Sequence, residues 1–245
     1  MARDIRNIVI LTGAGVSAES GVPTFRSIDG ETYWEVTGAD GLPRYHSIEE
    51  ICTPEALGRD RATVLDFYDR RRRALAAVAP NAAHHALARL DAEWPGEVLI
   101  VTQIVDDLHE RGGGARLLHM HGELLSALCG ACGTRASFAG DMLGGPRCAA
   151  CGQDALRPDI VFFGEMPYRM ARIEAALVAA DLFVSIGTSG AVYPAAGFVQ
   201  AARHAGAATL ELNLEPSAGS RFFDETRIGP AGMLVPDWVA QLLGD

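Results

Sequence analysis

Four short apolar runs, rich in β-branched residues, alternate along the chain with helical segments. The runs are Asn7–Thr12, Val98–Thr102, Leu182–Ile186 and Ala208–Leu212. Their apolar character is continuous, which is typical of strands buried on both faces. Helices are predicted at about 62–78, 81–90, 171–180 and 195–204, with Asn81 as the N-cap of the second. Strands that alternate with helices form a parallel sheet covered on both sides, so the sequence predicts an α/β fold.

A cysteine-rich stretch interrupts this alternation and is predicted to form a small inserted lobe. Cys129-x-x-Cys132 is followed, after fifteen residues, by Cys148-x-x-Cys151. Two such pairs are typical of a closed tetrahedral zinc site with four thiolate ligands. Because a closed site has no open position for water, the zinc is predicted to be structural; the alternative is two pairs of redox cysteines. Cys52 lies apart, and we expect an ordinary small buried side chain there.

The net charge and the N-terminal segment argue against several classes of protein. The 245 residues carry a formal charge of −10, which argues against a general binder of nucleic acids or anionic membranes, since either needs a basic face. The apolar run from Ile8 to Leu11 is far too short for a signal peptide or a membrane span. We therefore predict a cytoplasmic protein, in which clustered cysteines more often bind metal than form disulfides.

A glycine-rich segment directly follows the first predicted strand. Residues 13–18, with the sequence GAGVSA, fit the pattern G-x-G-x-x-G/A. In that pattern glycines let backbone amides approach a pyrophosphate, and a helix N-terminus faces the anion. The alternative is a plain strand-to-helix turn. The acidic ribose ligand that dehydrogenases have about 20 residues later is not clearly placed on a second strand end, so the ordinary dehydrogenase fingerprint fits poorly.

Three further polar segments lie at the ends of predicted strands, and a histidine pair follows one of them. The segments are Thr102–Arg111, Gly187–Gly190 and Asn213–Ser217. Open α/β sheets bind ligands at the carboxyl ends of their strands, so these groups are candidates to bind phosphate and ribose hydroxyls, although each alone is also consistent with a turn. His119–Gly122 contains two histidines. Neutral imidazole is a suitable general base near pH 7, and a buried core histidine is the alternative.

In their order along nearly the whole chain, these motifs resemble the sirtuin family. The resemblance rests on GAGVS, SGVP and FR near the N-terminus, then TQ-x-VD, HG, the four cysteines, FGE, GTS and NLE. It implies a Rossmann-type NAD lobe and a small zinc lobe, with substrate and cofactor meeting in the cleft between them. It also implies a reaction in which the acyl oxygen of an acyl-lysine attacks the nicotinamide ribose and nicotinamide leaves. Water finally releases free lysine and O-acyl-ADP-ribose.

The domain organisation also follows from this resemblance. The whole chain, 1–245, is expected to form one catalytic domain. Its Rossmann lobe is predicted at about 1–27, 80–125 and 156–245. The small lobe is predicted to have a helical part at about 28–79 and a zinc module at about 126–155.

The resemblance assigns roles position by position. His121 corresponds to the general base that activates a ribose hydroxyl. The implied cofactor contacts are Gly13, Ala14, Gly15, Thr24, Phe25 and Arg26 in the phosphate and nicotinamide-ribose loop, Gln103 and Asp106 at ribose and carboxamide, Gly187, Thr188 and Ser189 in a loop that contacts NAD, Asn213 and Glu215 at the adenosine ribose, and Ala231 near the adenine. The substrate peptide is expected to add as a strand between Gly190–Tyr193 and the segment that contains Val161, Phe163, Gly164 and Glu165.

A second resemblance concerns the acyl group. Phe67-Tyr68-x-x-Arg71 matches the bacterial and mitochondrial sirtuins that remove acidic acyl groups such as succinyl. Residues three apart share a helix face, and a phenol and a guanidinium there can jointly bind a carboxylate. Thr24 and the run Asn213–Ser217 favour the same branch. The alternative is that Arg70–Arg73 form a solvated basic face paired with Asp66 and Asp69.

Three positions depart from the family pattern. Ile104 replaces the usual Asn after Gln103, Asp159 stands where His is common, and Phe162 stands where Trp is common. An apolar side chain at 104 cannot supply the amide hydrogen bonds that position ribose and water, so weakened activity is expected. The competing hypotheses are an NAD-binding sensor or scaffold with silenced catalysis, and an NAD hydrolase or ADP-ribosyl transferase. The presence of His121 and Asp106 favours the deacylase.

Overall fold

The computed structural model of the chain describes residues 5–24, 26–28, 31–37 and 43–244. The strands are β1 (Asn7–Thr12), β2 (Arg26–Ile28), β3 (Glu31–Thr37), β4 (Pro43–Ser47), β5 (Glu97–Thr102), β6 (Leu117–His119), β7 (Gly122–Cys129), β8 (Arg135–Ser137), β9 (Leu156–Ile160), β10 (Leu182–Ile186), β11 (Ala208–Asn213) and β12 (Glu225–Ile228). The α-helices are α1 (Ala14–Ala18), α2 (Ile48–Ile51), α3 (Pro54–Arg59), α4 (Arg61–Leu75), α5 (Ala82–Glu93), α6 (Leu108–Arg111), α7 (Met170–Ala179), α8 (Phe198–His204) and α9 (Ala231–Leu243). Among these described helices, none combines the length and the apolar character needed to cross a membrane.

The predicted parallel sheet is confirmed, and it contains all four predicted strands. Its order is β12-β11-β10-β1-β5-β6, and every neighbouring pair is parallel. Ile8 and Ile10 of β1 face a core that α5 and α9 cover. Val9 and Leu11 face the opposite core, which α7 and α8 cover. Side chains of both faces are therefore buried, which explains why these strands are apolar without alternation.

The segment predicted as the helical part of the small lobe begins with strands, so the predicted start of that helical part at about 28 is wrong. The strands β2, β3 and β4 form an antiparallel sheet, and the first helix among the described residues of this segment is α2, which begins at Ile48. The sequence of β3, ETYWEVT, is rich in aromatic and β-branched residues. Such residues favour a pleated strand over a helix.

The described residues form two compact units whose boundaries differ from the predicted lobes. The first unit, here called the sheet unit, comprises Met1–Gly21, Ala79–Met120 and Tyr168–Asp245. The second unit comprises Val22–Val78 and His121–Pro167. Residues 121–125 and 156–167 were predicted in the Rossmann lobe but belong to the second unit. The reason is that β7 pairs antiparallel with β9, from Gly122 opposite Ile160 to Cys129 opposite Leu156.

Candidate functional site

Polar groups gather at the carboxyl edge of the parallel sheet. Gly13 follows β1, Gln103 follows β5, Gly187 follows β10, and Asn213 ends β11. Gln103 Nε2 donates a hydrogen bond to Thr188 Oγ1 at 3.1 Å. Asn213 Nδ2 donates to the Thr188 carbonyl oxygen at 2.8 Å. The sheet topology thus brings together predicted cofactor residues that lie far apart in the sequence.

The glycines at 13 and 15 are required by the close approach of the Gly187 loop. Gly15 N donates to the Gly187 carbonyl oxygen at 2.8 Å. A Cβ at Gly13 would lie 2.6 Å from that oxygen, and one at Gly15 would lie 2.8 Å from it. Gly187 itself has a φ of 61°, in the left-handed region that favours glycine. Contact between two loops therefore adds a structural reason for a pattern first interpreted as a phosphate site.

Two side chains tie the segment after β1 to neighbouring helices. The Glu19 carboxylate accepts hydrogen bonds from Ala231 N at 2.5 Å and Gly232 N at 3.0 Å, at the beginning of α9. Asn81 caps α5, as predicted, by accepting from Ala83 N at 3.0 Å. Its amide nitrogen also donates to the Val16 carbonyl oxygen at 2.8 Å. No local pattern predicts the Glu19 contact, because its partners lie more than 200 positions away.

Two of the residues after β5, Ile104 and Asp106, are buried. Asp106 Oδ1 accepts a hydrogen bond from Leu108 N at 3.1 Å, at the beginning of α6. Ile104 is 7% exposed, and its side chain belongs to the apolar core on the α5 and α9 side of the sheet. Residue 104 therefore has an apolar side chain in an apolar environment.

The two histidines of the predicted pair have different surroundings. His119 Nδ1 lies 3.0 Å from the Ile104 carbonyl oxygen, and Nε2 lies 2.7 Å from Glu110 Oε1. Both ring nitrogens of His119 therefore face hydrogen-bond acceptors. His121 is half-buried in the turn between β6 and β7, and its carbonyl oxygen accepts from Val161 N at 2.8 Å. The backbone of His121 thus extends the pairing of β7 with β9 by one more hydrogen bond.

A second pair of histidines is buried beneath the edge of the sheet. The rings of His84 and His109 lie 4.9 Å apart, and His109 Nε2 is 3.0 Å from Thr12 Oγ1. Burial lowers the pKa of His84 to about 4. The pKa of His109 is lowered to about 3, mainly by burial and to a smaller extent by the neighbouring histidines His84 and His119. Both rings are therefore neutral near pH 7.

The four cysteine sulfurs form one cluster whose size fits zinc. The distance from Cys129 Sγ to Cys151 Sγ and that from Cys132 Sγ to Cys148 Sγ are both 3.7 Å. A tetrahedron with Zn–S bonds of about 2.3 Å has edges of about 3.8 Å. Each knuckle is closed by its own backbone hydrogen bond: Gly133 N donates to the Cys129 oxygen and Gly152 N to the Cys148 oxygen, both at 2.8 Å. The cysteines of 129–151 thus fit a structural zinc ion.

Tyr68 and Arg71 lie in an aromatic cluster on α4. Tyr68 is 1% exposed, and its ring packs edge-on against Phe67 and stacks on Phe162, with centroids 5.0 and 5.9 Å away. Its hydroxyl donates to Cys52 Sγ at 3.3 Å. The Arg71 guanidinium lies over the Trp34 ring, 4.0 Å from the centroid. Sequence reasoning missed the roles of Trp34 and Cys52, which carry no local signal of this contact.

The neighbouring arginines of α4 are bound elsewhere. Arg70 pairs with Asp66 at 2.8 Å, and Arg73 pairs with Asp141 at 2.6 Å, both at the surface. Arg72 is buried. A solvated basic face thus describes Arg70 and Arg73, but it does not describe the half-buried Arg71 or the buried Arg72.

The segment predicted to bind the substrate backbone is held from within the second unit. Arg157 donates to both Glu165 carboxylate oxygens, at 2.7 and 2.8 Å, and Phe162 N donates to the same carboxylate at 2.8 Å. Burial raises the pKa of Glu165, but the hydrogen bonds from Arg157 and Phe162 outweigh it and lower the pKa. Phe163 is exposed, and Gly164 has a φ of 88°. The Glu165 side chain therefore shapes the segment.

The remaining predicted residues are dispersed over both units. Ala14, Ser189 and Glu215 are exposed, and Ala231 is buried at the beginning of α9. Thr24 is half-buried in the second unit. Phe25 lies outside the described residues, and of Arg26 only the backbone, in β2, is described.

Loops that gather at the carboxyl edge of a parallel sheet place the protein in the class of open α/β proteins that bind ligands at that edge. The model of the Sir2 family matches residues 13–194. The NAD-dependent protein deacylase of Vibrio vulnificus (strain YJ016) is 52% identical over 241 residues, which cover 97% of this chain and 94% of the relative. The chain belongs to the Sir2 family, and the resemblance to sirtuins is confirmed.

Solved structures of Sir2 homologues agree with this fold. One, a complex with NAD, has a TM-score of 0.85 and 33% identity, and the match covers 98% of this chain and 91% of that chain. A substituted homologue in complex with 2'-O-acetyl-ADP-ribose has a TM-score of 0.84 and 32% identity, with 98% and 92% covered.

Proposed function

We propose that this protein is an NAD-dependent protein-lysine deacylase that acts on acetyl-lysine and on lysines with acidic acyl groups such as succinyl and malonyl. Family membership and the deacylase relative support the reaction. The complex of a homologue with 2'-O-acetyl-ADP-ribose supports O-acyl-ADP-ribose as the product. The observation that carries the acyl preference is the position of Tyr68 and Arg71 in one aromatic cluster. The predicted cytoplasmic location stays a prediction.

The residues at the sheet edge supply cofactor binding in this proposal. NAD, when bound, provides the ribose carbon that accepts the acyl oxygen as nicotinamide leaves. Gln103, Thr188 and Asn213 are already joined by hydrogen bonds, so these groups are preorganised for ribose and phosphate. His121 accepts a proton from a ribose hydroxyl at a ring nitrogen, which suits an imidazole near pH 7. The four cysteines would hold a structural zinc ion, because a closed set of four thiolates leaves no open position for water.

The acidic acyl preference follows from the chemistry of α4. A guanidinium offers planar N–H donors that match a carboxylate. The Trp34 ring lies under the face of the Arg71 guanidinium. Tyr68 adds a hydroxyl donor on the same helix face. A neutral acetyl group gains nothing from the charge of Arg71.

The test is nicotinamide release with acetyl-lysine and succinyl-lysine peptides assayed side by side. Arg71→Met should lose the succinyl peptide selectively, because a buried carboxylate without its charged partner costs roughly 3–5 kcal/mol. Arg70→Met is the matched control, since its exposed pair with Asp66 lies on the same helix. Equal losses on both peptides would instead make Arg71 a structural residue, and the acidic preference would be wrong.

A second candidate function is an NAD-binding sensor with slow chemistry. The observation that favours it is Ile104, which has an apolar side chain in an apolar core. The family uses an amide at this position to orient ribose and water, and groups aimed at the reacting ribose act mainly in the transition state. Binding would then persist while turnover is slow.

A further inference from the structure

The hydroxyl of Tyr68 has a single proton, and in this structure it already donates that proton in a hydrogen bond. Tyr68 Oη donates to Cys52 Sγ at 3.3 Å. The ring cannot easily move, since Phe67 packs against its edge, Phe162 stacks on its face, and almost none of it is exposed. Only the direction of the hydroxyl hydrogen is therefore free to change.

We propose that Cys52 is a specificity-determining residue, which sets the preference for acidic acyl groups by competing with the acyl carboxylate for the hydroxyl proton of Tyr68. This inference rests on the proposed function, in which Tyr68 and Arg71 bind that carboxylate. It assigns Cys52 a role beyond that of a small buried side chain.

The two acceptors differ in strength. A thiol sulfur is a weak hydrogen-bond acceptor, whereas a carboxylate forms a charge-assisted bond that is roughly twice as strong as a neutral one. Burial raises the pKa of the Cys52 thiol and raises that of the Tyr68 phenol well above its usual range, so both stay protonated near pH 7. The Tyr68 hydroxyl therefore donates to the carboxylate when one is bound, but every acidic acyl group must first displace the Cys52 sulfur as the acceptor.

The backbone holds Cys52 in position independently of its side chain. Cys52 N donates to the Ile48 oxygen at 2.8 Å, at the end of α2. Its carbonyl oxygen accepts from Phe163 N at 2.9 Å, in the segment predicted to bind the substrate backbone. A substitution at residue 52 thus changes the acceptor offered to Tyr68 while these two backbone contacts persist.

The experiment measures the affinities of fluorescent succinyl-lysine and acetyl-lysine peptides by anisotropy, so that it does not depend on turnover. Cys52→Ala and Cys52→Val both remove the acceptor, but the first shrinks the side chain and the second enlarges it. Both should raise the succinyl-to-acetyl affinity ratio by about 2- to 10-fold, the worth of one net hydrogen bond. In a Tyr68→Phe background, neither should change the ratio.

The outcomes separate this inference from the proposed function. If Tyr68→Phe lowers the ratio while the two Cys52 variants leave it unchanged or shift it in opposite directions, the role of Cys52 is overturned and the proposed preference stands. A shift by the Cys52 variants that persists in Tyr68→Phe would show an effect of volume alone, which also overturns it. If neither Tyr68→Phe nor Arg71→Met lowers the ratio, the acidic preference and the role of Cys52 are both wrong.

Discussion

The sheet unit and the cysteine module, here residues 126–155, are stabilised by different means. All five residues of β10 are buried, and apolar cores lie on both faces of its sheet. Within the cysteine module most residues of 130–152 are exposed, and only Met142 and Cys148 among them are buried. A region with so little apolar surface to bury cannot rely on the hydrophobic effect, so it needs metal ligands and polar anchors.

One polar anchor is a buried ion pair on α4. Arg72 Nη1 and Asp69 Oδ1 are 2.7 Å apart, and both side chains are 2% exposed or less. Asp69 accepts hydrogen bonds from the backbone N–H groups of Met142 and Leu143, and Arg72 donates to the Gly140 carbonyl oxygen at 3.0 Å. The pair therefore fixes the chain between the two cysteine pairs against the helix that also carries Arg71.

The largest effect is expected when the metal site is broken. Cys148→Ser should lower the zinc content below the expected one ion per chain and unfold the module, since structural zinc binding contributes about 10–16 kcal/mol in small zinc domains. Elemental analysis and thermal unfolding measure both changes. Cys52→Ser is the matched control and should keep its zinc. Wild-type protein that contains no zinc after purification without chelator would contradict the prediction.

The next largest effect is expected from the ion pair. Asp69→Asn leaves the buried Arg72 guanidinium without a charged partner and should lower the free energy of unfolding by about 3–5 kcal/mol. Urea denaturation measures this loss. Asp66→Asn removes a carboxylate from the exposed pair with Arg70 on the same helix, and it should cost no more than about 1 kcal/mol. Similar losses in the two variants would show that the module does not depend on this anchor.

In the sheet unit, Ile104→Asn should change rate and stability in opposite directions. Restoring the amide should raise deacylase turnover about 10²–10³-fold while NAD affinity changes little. Placing the amide in the apolar core should lower the free energy of unfolding by about 1–3 kcal/mol. Single-turnover kinetics and urea denaturation measure the two effects. If the native protein already turns over quickly and the variant adds nothing, another group supplies that hydrogen bond.

The smallest effect concerns pH and the buried histidines of the sheet unit. Burial holds the pKa of His109 at about 3, below its ordinary value of 6.5. Below pH 6.5 the unfolded chain takes up a proton that the folded protein does not, so His109 lowers stability by about 1.4 kcal/mol per pH unit as the pH falls towards 3. Above pH 6.5 the His109 ring is neutral in the folded and the unfolded protein, so it causes no loss of stability there. His109→Gln should show a shallower loss between pH 6.5 and 5 in urea denaturation, and equal slopes would contradict this.

Much of the fold and part of the candidate site follow from local patterns. The strands β1, β5, β10 and β11, the Asn81 cap and the four clustered cysteines were all predicted, because each depends on residue types within a few positions. The sheet β2-β3-β4 was not predicted, since the segment gives no clear periodicity and its pairing is between strands. Nor were the contacts of Cys52 with Tyr68 and of Glu19 with α9.

The sequence by itself determined which chemical groups the protein has and where its buried strands and its metal ligands lie. Tertiary structure alone decided how those groups are used. Of two adjacent arginines on α4, Arg72 is buried in an ion pair and Arg71 lies over Trp34. The physical reason is that burial and pairing depend on neighbours that folding brings together. Adjacent residues of a helix point about 100° apart around its axis, so they meet different neighbours.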